Sequence, residues 1–408
     1  MSFALGVILF ALGIGVTIAL HEAGHMVAAR VCGMRVRRYF IGFGPTVWST
    51  TRGHTEYGLK AIPLGGFCDI AGMTVNDPWT EEEEPHLMIN KPAWKRVFVM
   101  MAGILVNIVL GVLMIFGVAV SFGLPDTTPP PQPATAADLV CSPESDQGNT
   151  SCSGEGSAAA SGVHVGDTFR EIDGEATEEF PDAVAAVQDA GRAAGDGGAA
   201  VGDTVTVPAT IERDGQDRNL DLQVELVERD GQTVGAIGVQ FELQPTPIID
   251  YNPVTAVGGT ADFTWNLGKQ TVEALIDLPQ RYWPVVQSIF GAERPADSPV
   301  SVVGASHAGG QMVEHDQWMS FLLLLANLNF FLAVFNLVPL PPLDGGHAVI
   351  VIYEKLRDRL RRLRGLEAGG PVDYVKVMPV TYVATAILLV FGLTVIVADV
   401  VNPLQLFP

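Results

Sequence analysis

The sequence predicts an α-helical polytopic membrane protein. It would have about four transmembrane helices, a membrane-associated β-hairpin and an inserted extracytoplasmic α+β domain. Three observations lead there. The chain has 408 residues, 48% of them hydrophobic, with a mean hydropathy of +0.30, which is too apolar for an ordinary soluble protein. Its longest apolar runs are long enough to cross the ~30 Å hydrocarbon core of a bilayer. Basic residues gather beside those runs, whereas much of the acid behind the formal net charge of -21 lies mid-chain. That acidity excludes nucleic acid as a partner, since nucleic-acid binding needs a basic face. Four cysteines are far too few for a disulfide scaffold.

Residues 1–123 read as an N-terminal membrane half. The first span runs from Phe3 to about Val31. It lacks the basic start and small-residue cleavage site of a signal peptide, so it is expected to be retained. Arg30, Arg35, Arg37 and Arg38 place its C-terminal end in the cytoplasm. Residues 39–73 hold two apolar, Gly- and Pro-rich runs, Tyr39–Pro45 and Ala61–Phe67, about a turn at 51–55, which predicts a hairpin. Strand edges cannot face lipid, so the hairpin should dip into a protein-lined cavity. There its edge at residues 58–66 could pair with an unwound peptide. Glu81 to Glu84 read as a solvated cytoplasmic run. The second span covers Val97 to about Phe122, and Asn107 inside it is expected to be buried against a neighbouring helix.

Residues 124–162 are Pro-, Ser-, Gly- and Ala-rich and read as a linker or insertion. Cys141 and Cys152 lie in it, outside the cell by this topology, where a disulfide between them is plausible. Residues 163–245 look like a compact soluble domain with tight turns at Ile172-Asp173-Gly174, Asp214-Gly215 and Asp230-Gly231. Phe180 to Ala190 reads as a helix, and Thr204–Ile211, Leu220–Leu226 and Ala236–Phe241 as strands. Residues 246–317 form an extracytoplasmic connection, with an amphipathic helix over 253–290 and a polar, Gly-containing link over 291–316. Residues 318–408 make the C-terminal membrane half. Its spans are about Trp318 to Val338 and about Pro379 to Val401, with a cytoplasmic arginine cluster (Arg357 to Arg364) between them. Both termini are then extracytoplasmic.

Chemistry concentrates at His21-Glu22-Ala23-Gly24-His25. Histidines four apart share one helix face and can offer neutral imidazole nitrogens to one zinc ion, at about 2.0–2.1 Å each. The glutamate between them is placed to act as general base on the attacking water. Helix-end caps are the alternative reading. Ionisable groups at membrane depth cost about 2.5–3.5 kcal/mol each, however, so three together call for a shared purpose. A catalytic zinc wants a third protein ligand, and Asp344 is the best candidate. It lies in Asn336 to His347, at the cytoplasmic end of the third span, where prolines break the helix. Asp344 as a helix cap and His347 as a competing ligand are the alternatives.

These motifs, with Gly42-Phe43-Gly44-Pro45 and Ala61 to Phe67, resemble those of the site-2 proteases, intramembrane zinc metalloproteases of peptidase family M50. The likeness is strongest to the actinobacterial regulators of intramembrane proteolysis. It implies His21, His25 and Asp344 as ligands of Zn2+, Glu22 as the catalytic residue, and Asn336, Gly65 and Gly66 in substrate binding. It also implies that 163–245 is a PDZ-like domain, on the weaker match of Gly166-Asp167 and Ile172-Asp173-Gly174. Cys68-Asp69 departs from the commoner family wording. The expected function is that of a zinc metalloendopeptidase in the cell membrane, with its active site near the cytoplasmic side. It would cleave single-pass proteins such as anti-sigma factors already trimmed by a site-1 protease. A catalytically silent PDZ-bearing scaffold is the competing reading, and the intact Glu22 argues against it. A metal transporter is disfavoured because no series of acidic residues or histidines steps across the bilayer.

Overall fold

The computed structural model describes residues 2–128, 131–141, 156–229, 232–242, 244–292, 294–295 and 297–407. Its elements are α1 (Ser2–Val31), β1 (Val36–Arg52), β2 (Thr55–Ile70), α2 (Ala93–Phe122), β3 (Leu124–Pro125), β4 (Ala136–Leu139), α3 (Ser157–Ala160), β5 (Thr168–Ile172), β6 (Glu175–Ala176), α4 (Phe180–Asp196), β7 (Thr204–Arg213), β8 (Gln216–Arg229), β9 (Gln232–Ala236), β10 (Val239–Phe241), β11 (Ile248–Ile249), α5 (Thr255–Ile289), α6 (Val302–Glu314), α7 (Trp318–Leu337), α8 (Asp344–Leu363) and α9 (Met378–Val401). They divide into two units, Met1–Leu124 with Asp250–Pro408, and Pro125–Ile249.

In the first unit, α1, α2, α7 and α9 are long and apolar enough to cross a membrane. At 1.5 Å per residue, a 30-residue helix such as α1 or α2 reaches ~45 Å, beyond the ~30 Å hydrocarbon core. Helix α2 is the hub and packs against α1, α5, α7 and α8. It starts before the expected Val97, so Arg96 sits inside its first turns and is buried. The charge is met by Glu354 of α8, 2.7 Å away and itself buried. Helix α1 approaches α2 closely because Gly24 faces the carbonyl of Ala102, where a Cβ would stand only 2.8 Å from the oxygen. Small residues at such crossings are the usual currency of helix association in lipid.

Part of the expected polar link over 291–316 is helix α6, laid along α1. Its Gly309 and Gly310 face Phe10, Val7 and Phe3, so glycine here serves close approach rather than a turn. Ser301 caps its start by accepting from the backbone N–H of Val303. Asp399 of α9 accepts from the N–H groups of Ser301 and Gly304, and from Arg294 at 2.7 Å.

The hairpin is present, but β1 and β2 fold back on themselves. Arg38 to Ile41 lie opposite Gly66 to Asp69 on one side and opposite Glu56 to Leu59 on the other. Trp48 to Arg52 in turn pair with Leu59 to Thr55. The result is a four-run sheet from two bent strands. Gly42 and Gly44, both at positive φ, lie between the two paired parts of β1. Gly58 and Leu59 therefore have partners on both sides, so that part of the expected edge is closed, and Gly66 lies beside Ile18 and Glu22 of α1. The acidic run is also not uniformly solvated. Glu83 is buried and takes both arms of Arg37, at 2.8 and 2.9 Å, which holds its carboxyl down at about 2.

The second unit is an α+β body. Its sheet has the order β6-β5-β7-β8-β9, with α4 packed on it. Inward-facing residues of the strands supply the core: Ile211, Leu222 and Val224 by ordinary alternation, and Phe169 and Ile172 across an irregularity in β5. Asp214-Gly215 and Asp173-Gly174 both take positive φ, as a two-residue hairpin turn of the mirror-image type requires. The strand expected over Ala236–Phe241 breaks at Gly238, which has positive φ and no room for a Cβ beside the carbonyl of Val140. After the break β10 pairs with β4. Part of the stretch read as a linker thus joins the fold, with Ala134, Ala136 and Ala158 fully buried in its core. Cys152 and the Asp230-Gly231 turn lie outside the described residues, and with them the expected Cys141–Cys152 disulfide.

Candidate metal centre

The site is assembled by three helices, each for a local reason. Helix α1 carries His21, Glu22 and His25 in two successive turns, and both histidines are buried. Helix α2 supplies the wall against them. Val99 accepts a hydrogen bond from His25 Nδ1 at 2.8 Å, which fixes the ring and turns Nε2 toward the site. Gly103 leaves room for both rings, since a Cβ there would collide with His25 Nε2 and stand 2.8 Å from His21 Nε2. Helix α8 begins at Asp344, whose backbone is fixed by the break at Val338 to Leu343. The N-cap of α8 is Leu343 and makes no side-chain cap. Asp344 thus has its carboxylate on the histidines, not on its own helix.

The three donor atoms form a nearly equilateral triangle. His21 Nε2 and His25 Nε2 stand 3.2 Å apart, and Asp344 Oδ2 is 3.3 Å from the first and 3.2 Å from the second. Donors held tetrahedrally at about 2.0–2.1 Å from one zinc ion are separated by about 3.3–3.4 Å. The triangle fits that ion. Asp344 Oδ2 is buried and makes no hydrogen bond, as suits an oxygen meant for a cation. Among the described residues this is the one cluster of histidine, cysteine and carboxylate side chains with that spacing.

A cavity of about 400 Å³ opens on the triangle. Glu22 lines it, and so do Asn336 of α7 and Gly65 and Gly66 at the hairpin edge. A Cβ on Gly66 would press on Glu22 Cγ at 3.0 Å, so this glycine lets the hairpin edge lie against the carboxylate. His21, Glu22, Asp344, Asn336, Gly65 and Gly66 thus meet at one cavity, with His25 in the triangle behind it, whereas Gly58 and Leu59 of the expected substrate edge are paired on both sides and do not line it. His347 does not join the ligand cluster; its Nδ1 lies 3.2 Å from the Tyr374 hydroxyl, and the rings stack. Gly103 is not among the residues the sequence marks, and Asn107, expected to be buried against a neighbouring helix, also lines the cavity. The spacing of Gly103 and Asn107, one turn apart on an apolar helix, was the available signal.

Comparison with known proteins agrees with the geometry. The model of "Peptidase family M50" matches residues 9–380. The zinc metalloprotease Rip1 of Mycolicibacterium smegmatis is 42% identical, with all of both chains covered. Rip1 of Mycobacterium tuberculosis is 39% identical, again over all of both chains. Metalloprotease MmpA of Caulobacter vibrioides is 28% identical over 89% of each chain.

Proposed function

This chain belongs to peptidase family M50 and is a zinc metalloendopeptidase, and we propose that it hydrolyses peptide bonds of single-pass membrane proteins at a site built from His21, His25, Asp344 and Glu22. The observation that carries the reading is the triangle of donor atoms 3.2–3.3 Å on edge with Glu22 on the same helical turn, facing the same cavity. His21, His25 and Asp344 would hold the zinc, which when bound would polarise the scissile carbonyl and acidify the attacking water. Glu22 takes that water's proton and returns it to the leaving amine. The His25–Val99 hydrogen bond keeps the imidazole in the tautomer whose Nε2 lone pair faces the metal. A membrane-spanning substrate hides its peptide bonds in its own helix and must unwind first. Asn336 and the Gly65-Gly66 edge are positioned to bind the freed main chain.

Orientation, the outer unit and the substrate class are proposed from the basic clusters and from the family resemblance of the motifs. The basic clusters put the site near the cytoplasmic face, with Pro125–Ile249 and both termini outside. That unit is read as a PDZ-like domain on its sheet, its capping helix and its paired Asp-Gly turns. It would admit stubs left by a prior external cut, as with anti-sigma factors trimmed by a site-1 protease. The test is Glu22→Gln beside Asp344→Ala, with cleavage of a co-expressed anti-sigma factor and zinc per purified chain as readouts. Glu22→Gln should abolish cleavage and keep its zinc. Asp344→Ala should lose both. Persistent cleavage by Glu22→Gln would remove the mechanism.

A further inference from the structure

Asn107 is a carboxamide that nothing in the described protein holds. It is fully buried on α2, and neither Oδ1 nor Nδ2 has a hydrogen-bond partner among the described residues. It lines the cavity shared by His21, Glu22, Asp344 and Asn336. It lies one turn beyond Gly103, the residue pressed against both imidazoles, and so on the same face of the helix. An asparagine kept for packing in a membrane bundle bonds to its own or a neighbouring helix. Asn329 does so through its amide nitrogen, donating from Nδ2 to the Leu325 carbonyl at 2.8 Å and to Thr17 Oγ1 at 3.4 Å, although its Oδ1 has no partner among the described residues. Asn107 leaves one donor and one acceptor free beside the metal triangle. A main-chain peptide offers the complement of both, a carbonyl oxygen and an N–H.

We propose that Asn107 binds the main chain of the scissile peptide, with Nδ2 donating to its carbonyl oxygen. The inference rests on the protease reading above and adds a residue to it. As the water adds, that oxygen gains negative charge, and a donor fixed beforehand favours the charged state over the ground state. Its loss should therefore slow turnover more than binding. An apolar side chain of the same shape removes the donor without opening a hole.

The test compares wild type, Glu22→Gln, Asn107→Leu and Asn107→Ser as full-length chains in detergent. The probe is a purified single-pass transmembrane segment of an anti-sigma factor cut short on its external side, with zinc content and melting temperature measured on the same samples. Asn107→Leu should lose about 10²–10³-fold in kcat, with KM within a few-fold of wild type and zinc and melting unchanged. Asn107→Ser, which keeps a donor on a shorter arm, should fall between the two. Turnover by Asn107→Leu at the wild-type rate overturns the proposal, and so does a loss that follows lost zinc or a lowered melting temperature. A wild type no faster than Glu22→Gln overturns the protease reading instead.

Discussion

Gly103 has no side chain, yet the rest of the site depends on it. It faces the gap between His21 and His25, beside the close approach of Gly24 of α1 to the Ala102 carbonyl, so a side chain here meets the two rings directly. Gly103→Ala should therefore tilt His25 away from the Val99 carbonyl and spoil the triangle. We expect a 10–100-fold weaker metal affinity, the range seen when groups that orient metal ligands are disturbed. Zinc retention during titration with a chelator measures it. Gly117→Ala on the same helix meets nothing within 4 Å and is the matched control, expected to bind zinc as wild type does. Had Gly103→Ala kept full affinity, the glycine would be a packing residue and no more. The contrast shows what a sequence can reveal at this scale. His21 and His25 are legible because their spacing alone puts them together. Asp344 is legible once topology brings its segment to the same depth. Gly103 is legible only after α1 and α2 meet, because a glycine in an apolar helix says nothing about what approaches it.

At the scale of elements, the position of Asp344, the proposed third ligand, is as secure as α8. That helix is anchored to α2 by Arg96 and Glu354, 2.7 Å apart and both about 8% exposed in their side chains. Glu354 also accepts from the Val372 N–H at 2.6 Å, which ties in the segment after α8. Removing one member leaves the other charge buried and alone, at a cost of about 3–5 kcal/mol, whereas removing both is often close to neutral. Arg96→Met should lower the melting temperature and the zinc content, although Arg96 does not touch the metal site. Adding Glu354→Leu should restore most of both. Failure of the double variant to recover would mean the pair does more than neutralise itself. The spans were readable from hydropathy, and the hairpin from its Gly- and Pro-rich runs. Helix α6 was not, because Gly309 and Gly310 look like a link until Phe10 is seen against them. Nor was the doubling-back of β1 and β2, since pairing on both sides of Arg38–Ile41 is a property of the folded sheet and leaves no periodic trace.

At the scale of the molecule, every described residue of the candidate metal centre and its cavity belongs to the unit Met1–Leu124 with Asp250–Pro408. That unit has a contiguous core of its own, from Ala134 to Ile237. Expressed alone, residues 125–249 should fold and melt in a single transition. Its acid stability should carry the mark of one ion pair. Asp167 is about 1% exposed and receives Arg213 Nε and Nη2 at 2.7 and 2.6 Å. Burial pushes its carboxyl up, but the Arg213 hydrogen bonds and the His164 N–H outweigh that and hold it below its ordinary value of 3.8. A carboxyl depressed by folding adds stability that is complete above its unfolded value and disappears as pH falls through the folded one. Arg213→Met should therefore lower the melting temperature of the fragment at pH 7. The difference from wild type should shrink as pH is taken below 3.8. A gap that stayed constant down to pH 2 would assign the effect to lost packing of the arginine stem. A fragment without a cooperative transition would show that its core, though contiguous, needs the membrane half to form.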